Sequence, residues 1–425
     1  MERERHSRQS AIKGWDQKKI DLAHIALVGS NQLAAETAIG LTEMGYGSIT
    51  MIGDSPASNQ DWFYMNNHKS RAENVADFCK LLYHEINFSP ITLEIDDPDD
   101  IDSYVTSKPN VIVDLTNNPN SKFISYEYAQ DQSIPFISGS STKKQIILFT
   151  DENNKLEDAF DFNVNKYQNQ ENGVVNNMLL SSLVLEEIRK AVMPMQYDSR
   201  QELFSYNGIN DTEATLPGNV FMVGAGGIGS NIGRGASIIR TSNMEVVDFD
   251  TAEQGNLGNQ FWYFDSQNAP KAVSLANKMK KLNPKGNYQS RVEKFDHTWA
   301  QYFDNNKVDL ILSCADSNET RLLLQEFAKM YKIPFINSGS AMDGASSVVL
   351  NYIPGKNGTI SEQDPVWNEP TPKRKNNCAF FPSSTIPNRV AASLMLNEMR
   401  KVLQPKTYGA PSLKQVNYDS NLGVY

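Results

Sequence analysis

Short apolar runs alternate with longer amphipathic segments along the 425 residues of the chain. The runs at 25–28 and 220–223 have the length and composition of strands, and each leads into a turn and a segment of helical periodicity. Further apolar runs follow at 49–52, 111–114 and 333–336. Strands that alternate with helices predict an α/β fold with a mostly parallel, doubly wound sheet.

The whole pattern occurs twice along the chain. Three pairs of segments correspond: 7–9 with 199–201, 134–137 with 333–336, and 183–190 with 394–401. The offset rises steadily from 192 to 211 residues, as collinear duplication with small loop insertions produces. The sequence therefore predicts two tandem Rossmann-like domains, 1–195 and 196–425, that form an intramolecular pseudo-dimer.

Composition narrows the class of protein. A net charge of -10 and a pI near 5.2 argue against nucleic acid or an anionic membrane as partners. The chain has no apolar stretch of the roughly 18–20 residues that a spanning helix needs, and no apolar segment follows the charged N-terminal residues. Its three cysteines include no CxxC pair and its five histidines are scattered, so we expect no structural zinc. These features predict a soluble cytoplasmic protein.

The two copies differ at the turn after the first strand. The second copy has Gly224, Gly226, Gly227 and Gly229, whereas the first keeps only Gly29. A glycine turn that opens a helix presents backbone N–H groups and the positive end of the helix dipole, which favour a nucleotide phosphate. A duplicated nucleotide-binding domain with one degenerate copy predicts a single active site, in the second domain.

An acidic residue completes a nucleotide-binding pattern. Asp248 lies nineteen residues after Gly229, at the end of the next strand, where a carboxylate can accept hydrogen bonds from ribose hydroxyls. An NAD-dependent oxidoreductase would satisfy this pattern too, but it leaves Lys271 and Asp316 unexplained. A non-catalytic binding scaffold is another alternative, and the complete glycine turn argues against it.

A series of motifs then follows in a fixed order. These motifs are Asp-Phe-Asp at 248–250, Asn-Leu-Gly-Asn-Gln at 256–260, Lys271, and Cys-Ala-Asp-Ser-Asn-Glu-Thr-Arg at 314–321. With the Arg-x-x-Arg-Gln start at 5–9, the series resembles the ThiF/MoeB and ubiquitin-activating superfamily, over nearly the whole chain. Enzymes of this superfamily activate a carboxylate by its attack on the α-phosphate of ATP. The attack releases pyrophosphate and leaves an acyl-adenylate.

The resemblance implies a role for each motif. Lys271 would contact the ATP phosphates, Asp316 would hold Mg²⁺, and Asp248 would bind the ribose. The remaining residues expected at the nucleotide pocket are Asp250, Asn256, Asn259 and Gln260. Asn259 stands where the superfamily has an arginine, so one phosphate contact differs here. The alternative roles are a helix cap for Asp316 and a solvated lysine at a helix start for Lys271.

Arg8 is the expected replacement for the missing cation. In dimeric relatives the second arginine of this motif reaches into the partner's active site, and here the partner would be the degenerate half of the same chain. That half has Gly53 and Asn117 at the positions of the two acids, so it would lend a cation without binding Mg²⁺-ATP. A surface charge or an interdomain ion pair is the alternative for Arg8. For Arg200, the equivalent arginine of the second copy, we expect a structural role.

Cys378 is a weaker catalytic candidate. It lies where some sulfur-transferring relatives carry a cysteine that forms a thioester or persulfide. The sequence Phe-Phe-Pro at 380–382 replaces the usual glycine-rich stretch there, which favours a structural role. The polar segments 151–173 and 355–377 are predicted loops, and the second is a candidate contact for a substrate.

The motifs predict the class of reaction, but they do not specify which carboxylate receives the adenylyl group. We expect no catalytic-cysteine domain, ubiquitin-fold domain, zinc pair or small N-terminal peptide-clamp domain. This favours an enzyme that activates a carboxylate on a ribosomally made precursor peptide, in the maturation of a peptide natural product such as an antibiotic. The alternative partner is a small ubiquitin-like or sulfur-carrier protein with a di-glycine end, for which Cys378 would be essential. The sequence does not decide whether two chains form a homodimer.

Overall fold

The chain forms two compact units in the computed structural model. The model describes residues 5–58, 61–63, 65–66, 68–142, 145–152, 155–160, 173–196, 198–200, 203–206, 215–341, 344–356, 382–413 and 415–424. The first unit comprises Ile12–Thr212 and Asp419–Gly423, and the second comprises Met1–Ala11, Glu213–Tyr418 and Val424–Tyr425. The first eleven residues thus group with the second half of the chain. The division into duplicated domains at 1–195 and 196–425 stays a prediction.

The first half of the chain has the expected alternation of strands and helices. Its elements are, in order, α1 (Ser7–Ser10), α2 (Gln17–Leu22), β1 (His24–Val28), α3 (Gln32–Met44), β2 (Ser48–Ile52), α4 (Arg71–Leu82), β3 (Asn87–Ile91), α5 (Pro98–Tyr104), β4 (Val111–Asp114), α6 (Pro119–Asp131), β5 (Phe136–Ser141), β6 (Ile146–Thr150), α7 (Leu156–Ala159), α8 (Val174–Val192) and β7 (Leu203–Tyr206). The strand β7 lies in the stretch that joins the two copies in sequence.

The second half repeats the alternation. Its elements are β8 (Leu216–Val223), α9 (Gly227–Ile238), β9 (Thr241–Val247), two short 3-10 helices (Gln254–Asn256 and Phe261–Tyr263), α10 (Lys271–Leu282), β10 (Asn287–Arg291), a third 3-10 helix (His297–Trp299), α11 (Ala300–Asn305), β11 (Leu310–Ser313), α12 (Asn318–Tyr331), β12 (Phe335–Ser340), β13 (Ser346–Tyr352), α13 (Thr385–Leu403), α14 (Pro405–Tyr408), β14 (Val416–Asp419) and β15 (Gly423–Val424).

Each half builds one mostly parallel sheet. The strand order is β3-β2-β1-β4-β5-β6-β7 in the first sheet and β10-β9-β8-β11-β12-β13-β14-β15 in the second. The pairs from β3 to β5 and from β10 to β12 are parallel, whereas β6 and β13 run antiparallel to their neighbours β5 and β12. The predicted fold class, two tandem Rossmann-like α/β sheets, is confirmed.

Successive residues of a strand point to opposite faces of the sheet, and apolar side chains on both faces pack against helices. In β1, Ala26 and Val28 pack into a buried cluster with residues of α5, α6 and α7, such as Ile101 and Ile124. On the other face, α3 packs against α4 and α8. In the second sheet, Phe221 of β8 lies in an aromatic cluster with the third 3-10 helix, α11 and α12.

A helix must be both long and apolar to cross a membrane. In the described part of the chain, no helix combines the length and the hydropathy that crossing a bilayer requires.

Candidate functional site

The glycine turn lies between β8 and α9, at the point where the strand order reverses. Gly224 has a φ of +99°, and a Cβ there would lie 2.5 Å from the backbone of Cys314, which follows the neighbouring strand β11. A Cβ on Gly229 would overlap the carbonyl oxygen of Gly224. Only glycine fits either position, so the turn is compact and the crevice beside it is the place where this fold binds ligands.

Ala225, inside the turn, is held from both sides. Its N–H donates to Asp248 Oδ2 at 2.6 Å, and its carbonyl oxygen accepts from the hydroxyl of Tyr263 at 2.6 Å. Burial raises the pKa of the Asp248 carboxyl, against the N–H groups of Ala225 and Asp250, which favour its charged form. The turn is therefore organised by Asp248 and Tyr263 before any ligand arrives.

Lys271 is a buried cation at the start of α10. Its side chain is only 6 % exposed, and its Nζ lies 3.5 Å from Asp250 Oδ2. Its backbone N–H also donates to the carbonyl oxygen of Asp250 at 2.9 Å. The alternative that Lys271 is a solvated lysine is therefore wrong. A buried ammonium held by one half-exposed carboxylate is suited to bind a phosphate.

Three predicted amides are buried, and two of them, Asn259 and Gln260, lie beside the turn. Asn256 Oδ1 accepts from the N–H of Glu253 at 3.0 Å and so shapes a 3-10 helix. The backbone oxygen of Asn259 lies 3.4 Å from where a Cβ on Gly227 would be, and the side-chain nitrogen of Gln260 lies 4.0 Å from the equivalent point of Gly226.

The oxygens of two of these amides have no hydrogen-bond partner among the described residues. They are Asn259 Oδ1 and Gln260 Oε1, both fully buried. A buried acceptor without a partner costs about 1–3 kcal/mol, which a ligand donor such as a ribose hydroxyl would recover. Two such acceptors, in residues close to Gly226 and Gly227, therefore fit a polar ligand such as a nucleotide.

Asp316 is exposed at the carboxyl end of β11. The cap of α12 is Ser317, whose hydroxyl accepts from the N–H of Thr320 at 3.2 Å, so the alternative that Asp316 caps the helix is wrong. Burial lowers the pKa of the nearby Arg321 to about 10, although the charge of Asp316 acts in the opposite direction. Burial also raises the pKa of the Cys314 thiol to about 12, which makes it a poor nucleophile at neutral pH.

One carboxylate fits a Mg²⁺ ion that is shared with a nucleotide. Mg²⁺ usually binds one or two carboxylates, substrate phosphates and waters rather than a full set of protein ligands. Within the described ranges, no three side chains of His, Cys, Asp or Glu come together as a metal site. The expectation that Asp316 would hold Mg²⁺ stays a prediction.

Arg8 belongs to the same compact unit as the glycine turn. It lies in α1 and is half-buried, and its backbone oxygen accepts from the N–H of Ser383 at 3.2 Å. The preceding Arg5 is close to Gly258, where a Cβ would lie 2.5 Å from the Arg5 carbonyl oxygen. The N-terminal segment is therefore seated against the half of the chain that has the complete glycine turn.

The corresponding turn of the first unit is filled by its own side chains. Asn31 Oδ1 accepts from the N–H of Ala34 at 3.0 Å and so caps α3, where a phosphate would otherwise bind. Gly53 stands at the position of Asp248 in the second copy, and a Cβ there would lie 2.6 Å from the N and Oγ atoms of Ser30. An acidic side chain cannot be placed at this position without a shift of the backbone.

The first unit also neutralises the cation that corresponds to Lys271. Arg71 opens α4 as Lys271 opens α10, and its Nε donates to Asp61 Oδ2 at 2.9 Å, with both side chains almost fully buried. Arg200 likewise pairs within the first unit, with Asp151 Oδ1 at 3.4 Å and Glu187 Oε2 at 4.0 Å. Both arginines are therefore engaged in ion pairs within the first unit.

Some predicted features lie outside the described residues. Cys378 is one of them, as are most of the predicted loop 355–377 and residues 153–154 and 161–172 of the predicted loop 151–173.

Two residues at the site were missed by the sequence reasoning. Tyr263 is part of an aromatic run, Phe-Trp-Tyr, that is typical of a core, so the role of its hydroxyl has no separate signal. Asn388 lies beside Gly227, in the first turn of α13. The only feature of the sequence that could have indicated Asn388 is a polar amide within an otherwise largely apolar helix.

Tyr263→Phe is expected to weaken ATP binding about tenfold, because the buried carbonyl of Ala225 loses its partner and the turn loosens. Burial raises the pKa of Tyr263 well above 10, so its hydroxyl is a donor at any physiological pH. Titration calorimetry with ATP measures the change. Tyr302→Phe is the matched control, because its hydroxyl donates to Glu245 Oε2 at 3.1 Å, away from the turn. Equal affinities for ATP in the two variants would contradict the assigned role of Tyr263.

The family model of the ThiF family matches the chain twice, at residues 4–219 and 197–423. The chain therefore belongs to the ThiF family and contains two tandem copies of it. This confirms the resemblance found from the motifs.

Several curated proteins are similar to part of the chain. An adenylyltransferase and sulfurtransferase (UBA4) of Yarrowia lipolytica is 27% identical over 36% of this chain and 38% of its own length. An E1-like ubiquitin-activating enzyme of Saccharomyces cerevisiae is 30% identical over 32% and 21%, respectively. A molybdopterin-synthase adenylyltransferase of Haemophilus influenzae is 29% identical over 35% and 62%. The chain thus spans less than two thirds of each of these relatives.

Among solved structures, the chain is similar to E. coli MccB in a crystal structure with ATP. The TM-score is 0.41 and the identity 18%, over 49% of this chain and 63% of that one.

Proposed function

We propose that the second unit activates a carboxylate of a precursor peptide with ATP, as an acyl-adenylate. A carboxylate oxygen attacks the α-phosphorus, a P–O bond forms, and the bond to the leaving pyrophosphate breaks. This chemistry needs cations around the phosphates more than it needs a protein nucleophile. The observation that carries the proposal is the glycine turn bonded to Asp248, with the buried Lys271 paired to the neighbouring Asp250, in a chain of the ThiF family.

Each residue of the site has a part in this proposal. Asp248 binds the ribose hydroxyls, and the N–H groups of the turn at Gly226 and Gly227 face the phosphates. Lys271 and Arg8 stabilise the negative charge that grows on the phosphates. Asp316 would hold Mg²⁺, which when bound would supply positive charge to the pyrophosphate.

Arg8 offsets the absence of the family arginine at Asn259. A neutral amide at this position removes one charge from the pocket, and Arg8 restores it from a helix that groups with the second unit. The first copy of the family would then serve this site without binding ATP. The turn of the first copy, which is capped by Asn31 and has no room for a side chain at Gly53, supports the proposal that this copy binds no ATP.

The peptide substrate is proposed from the sequence and a family analogy. The tandem form of this chain resembles the enzyme that builds the bicyclic core of pantocin A from adjacent glutamates of a precursor peptide. The segment 355–377 would contact such a peptide. The second candidate partner is a small ubiquitin-like or sulfur-carrier protein, which the names of the relatives favour, since these are activating enzymes and adenylyltransferases.

Magnesium-dependent exchange of labelled pyrophosphate into ATP tests the proposed function. Short peptides encoded beside the gene are assayed in parallel with a carrier protein that ends in two glycines. Exchange with a peptide supports the proposal, whereas exchange only with the carrier moves the function to carrier activation. No exchange with either substrate, together with tight binding of NAD, would refute adenylation.

Cys378→Ala distinguishes the two candidate partners. If the substrate is a peptide, we expect the rate of product formation to change less than twofold, because adenylation needs no thiol. Carrier activation through a thioester or persulfide predicts complete loss of product with normal pyrophosphate exchange. Cys314→Ala is the control, because the thiol of Cys314 stays protonated at neutral pH.

A further inference from the structure

Asn388 is a buried amide that makes contacts in several directions. It lies in the first turn of α13 and is 4% exposed. Its Oδ1 accepts from the hydroxyl of Ser340, at the end of β12, at 2.8 Å. Its Nδ2 donates to Ser383 Oγ at 3.2 Å. The same nitrogen lies 2.5 Å from the position that a Cβ on Gly227 would take. Asn388 is thus in contact with the first residue of α9 and with the segment that precedes α13.

The contact with Ser383 continues to the N-terminal helix. The backbone N–H of Ser383 donates to the carbonyl oxygen of Arg8 at 3.2 Å. Two hydrogen bonds therefore join α1 to Asn388 through Ser383. Asn388 also lies against Gly227 of the glycine turn. All of these residues belong to the second compact unit.

A helix as short as α1 depends on such contacts. It has four residues and no side-chain cap, and its own bonds include those from the N–H groups of Ser10 and Ala11. Isolated helices of this length are unstable in water, so tertiary contacts decide where α1 lies. A displacement of a charged group by about 1 Å from the reacting atoms can cost roughly 10²-fold in rate.

We propose that Asn388 is a positioning residue that holds α1, and with it Arg8, in register with the glycine turn. The inference rests on the proposed function, in which Arg8 stabilises the charge on the phosphates. It also gives a reason for glycine at position 227, since a side chain there would displace the amide of Asn388.

An uncharged amide suits this position. Asparagine is a donor and an acceptor at once, and both capacities are used, towards Ser383 and Ser340. An aspartate could accept from both serine hydroxyls, but it would bury a negative charge beside Gly227. Asn388→Asp should therefore impair the site more than Asn388→Ala does.

Hydrogen exchange followed by mass spectrometry tests the placement of α1 without any need for activity. In Asn388→Ala we expect the amides of residues 5–11 and of Ser383 to exchange about tenfold faster than in the native protein. Asn351→Ala is the matched control. Asn351 is also a buried asparagine of the second unit, and its Nδ2 donates to Glu398 Oε2 at 2.6 Å and to the Ser412 oxygen at 2.9 Å. Equal exchange of α1 in the two variants would overturn the inference.

A double-mutant cycle then tests whether Asn388 affects the reaction through Arg8. We expect Asn388→Ala to lower the kcat of pyrophosphate exchange about tenfold with little change in the KM for ATP. In an Arg8→Ala background the same substitution should cost less than twofold. Additive losses would show that Asn388 does not act through Arg8. If the native protein catalyses no exchange with any substrate, the proposed function fails, and the hydrogen-exchange result still decides the placement of α1.

Discussion

Arg8→Ala is expected to lower the rate of peptide-dependent pyrophosphate exchange by about 10³-fold. A supplied arginine is worth roughly 10³–10⁵-fold in other phosphoryl-transfer enzymes, and the smaller figure applies because Lys271 remains. The loss should appear in kcat, since the charge that Arg8 stabilises develops during the reaction. Arg8→Lys keeps a charge but loses the planar donor fork, so it should recover only part of the rate.

Arg200→Ala is the matched control for this variant. Arg200 belongs to the same Ser-Arg-Gln motif in the second copy of the sequence, but it pairs with Asp151 and Glu187 of the first unit. We expect less than a threefold change in the exchange rate. If both arginine variants lost activity equally, or if Arg8→Ala remained fully active, Arg8 would not be the cation of the site.

Asp316→Ala is expected to lower the exchange rate about 100-fold or more at any magnesium concentration. Asp316 is the exposed carboxylate at the carboxyl end of β11, and a metal ion contributes several kcal/mol to the stabilisation of a phosphate transition state. The start of α12 should be kept, because Ser317 and not Asp316 caps it, and circular dichroism checks that the variant folds despite the loss of a charge near the buried Arg321. Exchange kinetics at increasing concentrations of Mg²⁺ measure the effect.

Asn117→Ala is the control from the first copy. Asn117 occupies the position of Asp316 in the duplicated sequence, and we expect the exchange rate to stay within twofold of the native rate. An Asp316→Ala variant with native kinetics would move the metal to another ligand. A large loss in Asn117→Ala would instead show that the first copy takes part in catalysis.

The fold was largely predictable from the sequence. The central strands β1, β4 and β11 are largely apolar runs of four or five residues, and parallel sheets buried on both faces produce that pattern. The glycine that both copies keep has a physical reason, because Gly29 and Gly224 have φ angles of +107° and +99°. The other three glycines of the second turn are needed only where the backbone approaches a neighbour or a ligand.

The candidate site was predictable where a residue acts near its own place in the sequence. Asp248 and Lys271 follow the glycine turn at typical intervals, and the structure brings Asp248 to the turn and Lys271 to Asp250. The contact between Arg8 and Ser383 joins residues at opposite ends of the chain, and no local pattern records it. Pairs such as Arg71 with Asp61 depend on side-chain packing, which a sequence pattern does not specify.

The number of ATP molecules bound per chain tests the central claim most directly, namely that only one of the two copies of the family works. Titration calorimetry in the presence of Mg²⁺ is expected to give one site per chain, lost in Lys271→Ala. The same titration should be unchanged in Arg71→Leu, provided that this variant still folds by circular dichroism. Two sites per chain, or a single site that survives Lys271→Ala, would contradict the account.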